Sequence, residues 1–229
     1  MILHIPHAST NTLDKQFLCN LEQELERMTD VKTDVLFDCA PAARIVFPVS
    51  RLICDVERFE DDALESMANK GMGVCYTINS FGQPLRTVTK AERNEIIANY
   101  YRPHHRALTE AVQRELDTDG KALIIDCHSF SNEPLHHEDS QCTPRPDICI
   151  GTDDFHTPTE LLNDAVKHFE SCGYDVKVNA PFSGTIIPMD YFQTDSRVHG
   201  IMIELNRDLY KTDFDEVQSN VTEWLATFV

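Results

Sequence analysis

Histidines and carboxylates follow four apolar runs of the chain, each close to the point where its run ends. His7 follows the first of these runs, Asp55 and Glu57 the second, His128 the third and Glu204 the last. Two neutral imidazoles and one carboxylate around a tetrahedral ion form a catalytic zinc site with an open fourth position. Water bound to such an ion has a pKa of about 7, and a nearby glutamate can pass its proton to a leaving amine. These residue types therefore indicate metal-assisted hydrolysis.

The carboxylate that would complete this site has three candidates. Asp30 and Asp34 are four positions apart and would share one face of a helix, and Glu57 is the third candidate. The two histidines are the expected imidazole ligands, and Glu204 is the expected general base. We expect one zinc ion per chain, although sites of this type also accept other divalent ions such as manganese or iron. An HExxH motif is absent, which excludes the class of metalloprotease that carries it.

The elements that would position these side chains alternate between strands and helices. Six apolar, β-rich runs are mostly continuous, which is typical of strands buried on both faces of a sheet. They are Met1–Pro6, Ala43–Val56, Ala122–Cys127, Asp147–Ile150, Tyr174–Val178 and Gly200–Leu205. We therefore expect an α/β domain with helices on both faces of a mixed, mostly parallel sheet. Ligands of open α/β sheets bind beyond the carboxyl ends of the strands, so the polar residues above would meet at one edge.

Helical periodicity fills much of the chain between these runs. The segments with the clearest pattern are Leu13–Met28, Glu92–Leu116 and Phe214–Phe228. The second segment contains Pro103, which predicts a kink because proline cannot continue the hydrogen bonding of a helix interior. Capping boxes that begin at Thr89 and at Thr157 predict two helix starts.

Two long polar segments fit neither pattern. Asp61–Pro84 and Ser131–Pro146 are predicted loops, and loops of that length in a compact domain are often lids or binding loops. The second segment contains His136 and His137, which we interpret as solvated surface residues rather than ligands of a metal.

The composition describes an ordinary globular chain with a strongly acidic balance. The 229 residues include 20 Lys+Arg and 38 Asp+Glu, giving a formal net charge of −18, and we expect one domain over residues 1–229. This charge disfavours nucleic acid and anionic membranes as partners. The eight cysteines form no CxxC pair and the first residues lack a signal-peptide pattern, so we expect reduced thiols and a cytoplasmic protein.

Six short segments, taken in order along nearly the whole chain, resemble the N-formylglutamate amidohydrolase family. They are Ile5–Ser9, Thr29–Phe37, Ser50–Arg58, Tyr101–His105, Ile125–Ser129 and Ile203–Tyr210. The resemblance implies a three-layer αβα sandwich like that of the zinc carboxypeptidases (the phosphorylase/hydrolase-like fold). It also implies hydrolysis of the amide bond of a small N-acyl amino acid, with a role in histidine or glutamate metabolism.

The resemblance also implies roles for particular residues. His7 and His128 fall where the family has metal ligands, Asp30 and Asp34 both match family acids, and Glu204 falls where the general base is expected. Three of the four substrate-binding candidates are arginines, and a guanidinium suits a carboxylate because it offers paired hydrogen bonds. They are Arg58, with Arg51 and Arg145 as further candidates for orienting the substrate, and His105, which matches a family histidine.

The chain departs from the family pattern close to these positions. Glu57 stands where the family usually has asparagine, and Ser183 stands where it tends to have a basic residue. Fewer cations near the site and a net charge of −18 oppose the binding of a dianion such as formylglutamate. Two alternatives therefore stay open: a zinc carboxypeptidase or cell-wall-peptide amidase on the same fold, and a catalytically silent family member that acts as a binding protein. The sequence leaves the oligomeric state open.

Overall fold

Six strands form one sheet in the computed structural model, which describes residues 1–229. The strands are β1 Ile2–Ile5, β2 Ala43–Val46, β3 Ala122–Phe130, β4 Ile148–Gly151, β5 Val176–Val178 and β6 Val198–Asn206. Their order across the sheet is β2-β1-β3-β6-β4-β5. Every neighbouring pair is parallel except β4 and β6, so the predicted mixed, mostly parallel sheet is confirmed.

Seven α-helices connect and cover these strands. They are α1 Leu21–Met28, α2 Thr33–Leu36, α3 Lys90–Ile96, α4 Arg102–Asp119, α5 Thr159–Ser171, α6 Arg207–Thr212 and α7 Phe214–Leu225. A π-helical turn, Ile97–Tyr101, joins α3 to α4, and 3₁₀ turns occupy Ser66–Lys70 and Ala226–Phe228. None of these helices combines the length and the apolar character needed to span a lipid bilayer. All eight cysteines are free thiols.

The strands present alternate residues to two different apolar layers. On one face, residues such as Leu3, Ile125 and Ile203 pack with side chains of α5 and α7, including the fully buried Trp224. On the other face, buried side chains at the amino-terminal ends of β1, β3 and β6 pack with the apolar side of α4. Helices therefore cover both faces, which confirms the predicted three layers. The closer likeness to zinc carboxypeptidases stays a prediction.

The face that α4 covers becomes polar towards the carboxyl ends of the strands. The alternation of side chains places His4 on this face of β1, Asp126 and His128 on this face of β3, and Glu204 on this face of β6. The strand register pairs His4 with Asp126 and His128 with Glu204. The sheet alone therefore brings four ionisable side chains together beyond the end of the helix layer.

The second predicted strand is shorter than its apolar run, which extends to Val56. β2 ends at Val46, and Phe47 donates its backbone N–H to Ile5 O before the chain reaches Pro48, which has no N–H to continue a ladder. The residues from Ser50 onward form turns that bring Asp55 back beneath the end of β1.

One of the helix predictions differs from the structure. The segment Leu13–Met28 is helical only from Leu21, because Leu13 adopts a positive φ of 53° and Asn20 caps the helix that follows. Pro103 lies in the first turn of α4, directly after the π-helical turn Ile97–Tyr101, so the regular hydrogen bonding of the α-helix is interrupted next to the proline. The kink at Pro103 stays a prediction.

The two capping boxes have opposite outcomes. Thr89 accepts a hydrogen bond from the backbone N–H of Glu92 at 3.2 Å and caps α3, as predicted. The helix start predicted at Thr157 is confirmed to within two residues, because α5 begins at Thr159, but the predicted cap is wrong, because the Thr157 hydroxyl donates to Gly200 O at 2.6 Å and Pro158 occupies the N-cap position. Both predicted loops are confirmed. Asp61–Pro84 contains only a 3₁₀ turn and an isolated bridge, and Ser131–Pro146 contains neither helix nor strand.

Candidate active site

A cavity of about 330 Å³ opens beyond the carboxyl ends of β1, β3 and β6. That volume suits a small ligand. It brings together six of the residues predicted for the site, together with Glu57. They are His7, Asp30, Arg51, Arg58, His128 and Glu204. The predicted convergence of polar side chains at one edge of the sheet is therefore confirmed for His7, Glu57, His128 and Glu204.

His7 is almost fully buried, with 1% of its surface exposed. Its Nε2 lies 2.9 Å from Asp55 Oδ1, which fixes the orientation of the ring. Its Nδ1 has no hydrogen-bond partner, and lies 3.7 Å from Asp30 Oδ2 and 3.7 Å from Glu57 Oε2. A buried nitrogen that faces two carboxylates without bonding to either has the environment expected of a cation ligand.

His128 stands beside His7, with the ring centroids 5.2 Å apart. Its Nδ1 lies 3.1 Å from Asp30 Oδ2, and its Nε2 lies 3.0 Å from Asp126 Oδ1 and 3.1 Å from Glu57 Oε1. Burial lowers the pKa of His128, but the surrounding carboxylates of Glu57 and Asp126 outweigh burial and raise that pKa well above its usual value. This surplus of negative charge is compatible with a bound cation.

Two carboxylates can complete a metal site with these imidazoles. Ligand atoms of His7, Glu57 and His128 all lie within 4.8 Å of one another. Asp30 offers a second arrangement, because its Oδ2 faces the Nδ1 atoms of both histidines. Two imidazoles with one carboxylate form a donor set that zinc accepts, so the residues present fit the metal that the sequence predicts.

Asp30 is held as a charged carboxylate. Its Oδ1 accepts a hydrogen bond from Arg207 Nη2 at 3.1 Å, and its Oδ2 accepts one from the Ser129 backbone N–H at 3.3 Å. Burial raises the pKa of Asp30, but the hydrogen bond from His128 and the nearby charges of His7 and Arg207 hold it well below its usual range. A carboxylate that stays ionised is available to a metal ion at any ordinary pH.

Glu204 lies on the cavity wall next to His128, on the adjacent strand. It is 8% exposed, and its Oε2 is buried without a hydrogen-bond partner. Burial raises the pKa of Glu204 to about 8. A carboxyl group whose pKa lies near neutrality can both accept and return a proton, which is the property required of a general acid–base residue.

Two arginines lie beside the buried carboxylate of Asp55 at the side of the cavity. Arg51 Nη2 donates to Asp55 Oδ2 at 3.0 Å, and Arg58 Nη2 lies 3.8 Å from the same oxygen. Tyr76 also donates its hydroxyl to this oxygen, at 2.5 Å. The Nε atoms of both arginines are buried without partners, so each guanidinium keeps a donor free for a ligand. Asp55 thus positions His7 and both cations together.

The structure leaves three predicted site residues outside the cavity. Asp34 is exposed on α2, because that helix has only four residues and begins at Thr33, so Asp30 precedes it and shares no helix face with Asp34. His105 packs against Tyr101, with ring centroids 4.3 Å apart, beside a separate cavity.

Arg145 is the third of these residues, and it braces the loop Ser131–Pro146. Its Nη1 donates to Ser131 O at 3.0 Å, its Nη2 donates to Ser140 O at 3.1 Å, and it pairs with Glu138. These contacts occupy both Nη atoms of Arg145 within the loop, so they give Arg145 a role in shaping the cavity wall, while its Nε is buried without a partner.

The sequence interpretation of His137 as a solvated surface residue is wrong. His137 lines the cavity, and its Nδ1 is buried without a partner. Burial lowers the pKa of His137 to about 4, so the imidazole is neutral at pH 7. His136 is exposed, as interpreted. The sequence signal for a buried part of this loop is the apolar residue Leu135, which packs in an apolar cluster of the structure.

Comparisons with known proteins agree on one family. A family model described as N-formylglutamate amidohydrolase matches residues 1–211. A Pseudomonas aeruginosa protein named N-formylglutamate deformylase is 28% identical over 225 residues, covering 92% of this chain and 81% of that protein. A Pseudomonas putida protein of the same name is 26% identical over 223 residues, covering 92% of this chain and 81% of that protein.

Two solved structures share the fold. The crystal structure of N-formylglutamate amidohydrolase from Ralstonia eutropha JMP134 matches with a TM-score of 0.84 and 24% identity, covering 100% of this chain and 93% of that one. A protein of Agrobacterium tumefaciens matches with a TM-score of 0.65 and 16% identity, covering 99% and 90% of the two chains. Because the family model matches most of its length, the chain belongs to the N-formylglutamate amidohydrolase family.

Proposed function

We propose that this protein is a zinc-dependent amidohydrolase that removes the acyl group from a small N-acyl amino acid, with N-formylglutamate as the first substrate to test. The observation that carries the proposal is a pair of buried atoms without partners, His7 Nδ1 and Glu204 Oε2, in one cavity of about 330 Å³. The name of the curated relatives, N-formylglutamate deformylase, supports the type of reaction.

His7, Asp30 and His128 are the residues that would hold the zinc ion. Each imidazole has its Nε2 against a buried aspartate, Asp55 or Asp126, which accepts the Nε2–H and leaves Nδ1 as the nitrogen that would bind a metal. Asp30 Oδ2 faces both of these Nδ1 atoms. Since the family usually has asparagine at the position of Glu57, Asp30 is also the carboxylate that relatives can share. Zinc held there supplies Lewis-acid polarisation of a carbonyl and of water.

Glu204 is the residue that would move the proton. Its free Oε2 accepts a proton from the attacking water and returns it to the leaving amine nitrogen, which becomes the free amino group of the product. Low exposure keeps bulk water from competing for that proton. The pKa of about 8, raised by burial, is suited to a group that must be protonated for half of the cycle.

Arg51 and Arg58 would bind a carboxylate of the substrate. Both line the cavity, and both have an Nε donor without a partner. A guanidinium can offer two parallel hydrogen bonds to a carboxylate, which fixes the position of the amide relative to the reacting groups. The negative charge of Glu57 lies beside these arginines and repels a substrate carboxylate. We therefore expect a dianion to bind more weakly than it would with asparagine at position 57.

The test is a hydrolysis assay on N-formylglutamate, N-acetylglutamate and a set of dipeptides, with the zinc-loaded protein and with the chelated protein. We expect release of the free amino acid from an N-acyl substrate only in the loaded protein. Glu204→Gln should lower kcat by about 10²-fold or more while zinc content is unchanged. Turnover by the chelated protein, or full activity of Glu204→Gln, would overturn the proposal. Cleavage of dipeptides alone would favour the carboxypeptidase reaction.

A further inference from the structure

A line of hydrogen bonds runs from helix α4 to His128. His104 Nε2 lies 2.8 Å from His4 Nε2, and His4 Nδ1 lies 2.8 Å from Asp126 Oδ1. The same Asp126 oxygen lies 3.0 Å from His128 Nε2. All four side chains are buried, and His104 is the most exposed of them at 7%. We refer to His104, His4, Asp126 and His128 as the buried chain.

The fold fixes each member of the buried chain. His4 and Asp126 are register partners on adjacent parallel strands, so their separation is set by the sheet. The second oxygen of Asp126, Oδ2, accepts the backbone N–H of Ile186 at 3.0 Å. His104 lies in the first turn of α4, where its ring packs edge-on against Phe47 with centroids 5.1 Å apart. The buried chain therefore has little freedom to rearrange.

These contacts determine where the ring protons lie. An ionised carboxylate can only accept, so His4 Nδ1 and His128 Nε2 must each carry the hydrogen that Asp126 receives. His4 Nε2 and His104 Nε2 lie 2.8 Å apart, so one of these two nitrogens carries the hydrogen that the other accepts. Burial lowers the pKa of His104 to about 2, which keeps this ring neutral.

We infer that His4 and His104 are positioning residues that, through Asp126, keep a hydrogen on Nε2 of His128, so that Nδ1, which lies 3.1 Å from Asp30 Oδ2, is the nitrogen that would bind a metal. This inference rests on the zinc site of the proposed function. Outer partners of a metal-binding histidine fix its tautomer and raise its basicity as a ligand, and losing one weakens metal binding. The buried chain extends that support two residues further, from the sheet into α4.

The same atoms also admit a second metal site, since ligand atoms of His4, Glu57 and Asp126 lie within 4.8 Å of one another. The hydrogen bonding argues against that use. His4 and Asp126 have partners for all of their polar atoms, whereas His7 Nδ1 has none. The structure therefore favours one metal ion, supported by the buried chain, over two.

The test compares His104→Gln with His104→Met. Glutamine places an amide N–H where Nε2 stood and keeps the link to His4, whereas methionine has a similar length and no donor. We expect the zinc dissociation constant, measured by competition with a chromogenic chelator, to rise about tenfold in His104→Met and to stay within about twofold of wild type in His104→Gln. Exposed His136→Gln is the matched control, with unchanged affinity.

Thermal unfolding in excess chelator separates positioning from a purely structural role. We expect the zinc affinities of the two variants to differ even where their metal-free melting temperatures agree. Equal zinc affinity in both variants would overturn the inference, and so would two zinc ions per wild-type chain. Should His104→Met fail to fold, His104→Asn replaces it, because that amide is too short to reach His4. If wild type itself binds no zinc, the proposed function fails first, and the inference with it.

Discussion

Asp30 and Glu57 are the two candidates for the carboxylate ligand beside His7 and His128, and their surroundings differ. Asp30 is buried and bonded to Arg207, whereas Glu57 is half-buried and has no arginine or lysine bonded to its carboxylate. We expect Asp30→Asn to lose stoichiometric zinc and Glu57→Gln to retain it, as measured by metal content after gel filtration. Loss of zinc from Glu57→Gln alone would instead make Glu57 the ligand.

Glu57 also bears on the choice of substrate. Glu57→Asn removes a negative charge beside Arg58, so we expect the KM for N-formylglutamate to fall severalfold with little change in kcat. The matched control is Asp139→Asn, an exposed acid at the same cavity, where screening by solvent should leave KM nearly unchanged. A rise in KM in Glu57→Asn would contradict repulsion as the role of Glu57.

His137 offers a neutral hydrogen-bonding group to whatever occupies the cavity. We expect His137→Leu to raise KM about tenfold with kcat and zinc content little changed, because the ligand loses one hydrogen bond in a buried setting. His136→Leu is the control on the neighbouring exposed residue. Unchanged KM in His137→Leu would show that its free Nδ1 does not meet the substrate.

For single residues, the sequence was sufficient to predict polar side chains at the ends of strands. It was not sufficient to predict contacts between residues that are distant along the chain. His7, His128 and Glu204 could be predicted because each follows or ends an apolar run. His4 and His104 are 100 positions apart and meet only because α4 lies across β1. Periodicity carries no information on such a contact, so the buried chain could not be predicted.

At the scale of elements, the strands were predictable because burial on both faces requires continuous apolar runs, and these are visible in the sequence. Short helices were less predictable. α2 has only four residues and does not include Asp30, so the four-residue spacing of Asp30 and Asp34 does not place them on one helix face. Asp30 lies in the cavity, whereas Asp34 is exposed. The π-helical turn before Pro103 likewise depends on hydrogen bonding that the spacing of apolar residues does not reveal.

The loop Ser131–Pro146 forms one wall of the cavity and depends on Arg145 for its shape. We expect Arg145→Ala to make this loop sensitive to limited proteolysis and to raise KM, because three contacts within the loop are lost. Zinc content should stay at the wild-type level. A large rise in KM with wild-type resistance to protease would instead support the direct substrate contact that the sequence predicted for Arg145.

For the molecule as a whole, buried neutral histidines make the stability of the metal-free protein depend on pH. Burial lowers the pKa of His104 to about 2, whereas in the unfolded chain this group takes up a proton near its ordinary value of about 6.5. Between these values His104 binds more protons in the unfolded state, so the contribution of His104 to the free energy of unfolding falls as the pH falls below about 6.5. Burial lowers the pKa values of His105 and His137 to about 4, which adds to the same trend.

Urea unfolding in excess chelator at pH 7 and pH 5 measures this effect. His104 alone should contribute about 2 kcal/mol to the difference between the two free energies of unfolding. His104→Gln should reduce the difference by that amount, and exposed His136→Gln should leave it unchanged. A wild-type difference that persists in full in His104→Gln would show that His104 is already protonated in the folded protein.

The zinc site proposed at His7 and His128 is tested by the zinc content per chain after chelation and reconstitution, measured by inductively coupled plasma mass spectrometry. We predict about one zinc per wild-type chain, and its loss in both His7→Ala and His128→Ala. Exposed His136→Ala should keep the metal. A wild-type protein that takes up no stoichiometric zinc, or histidine variants that retain it, would contradict the account.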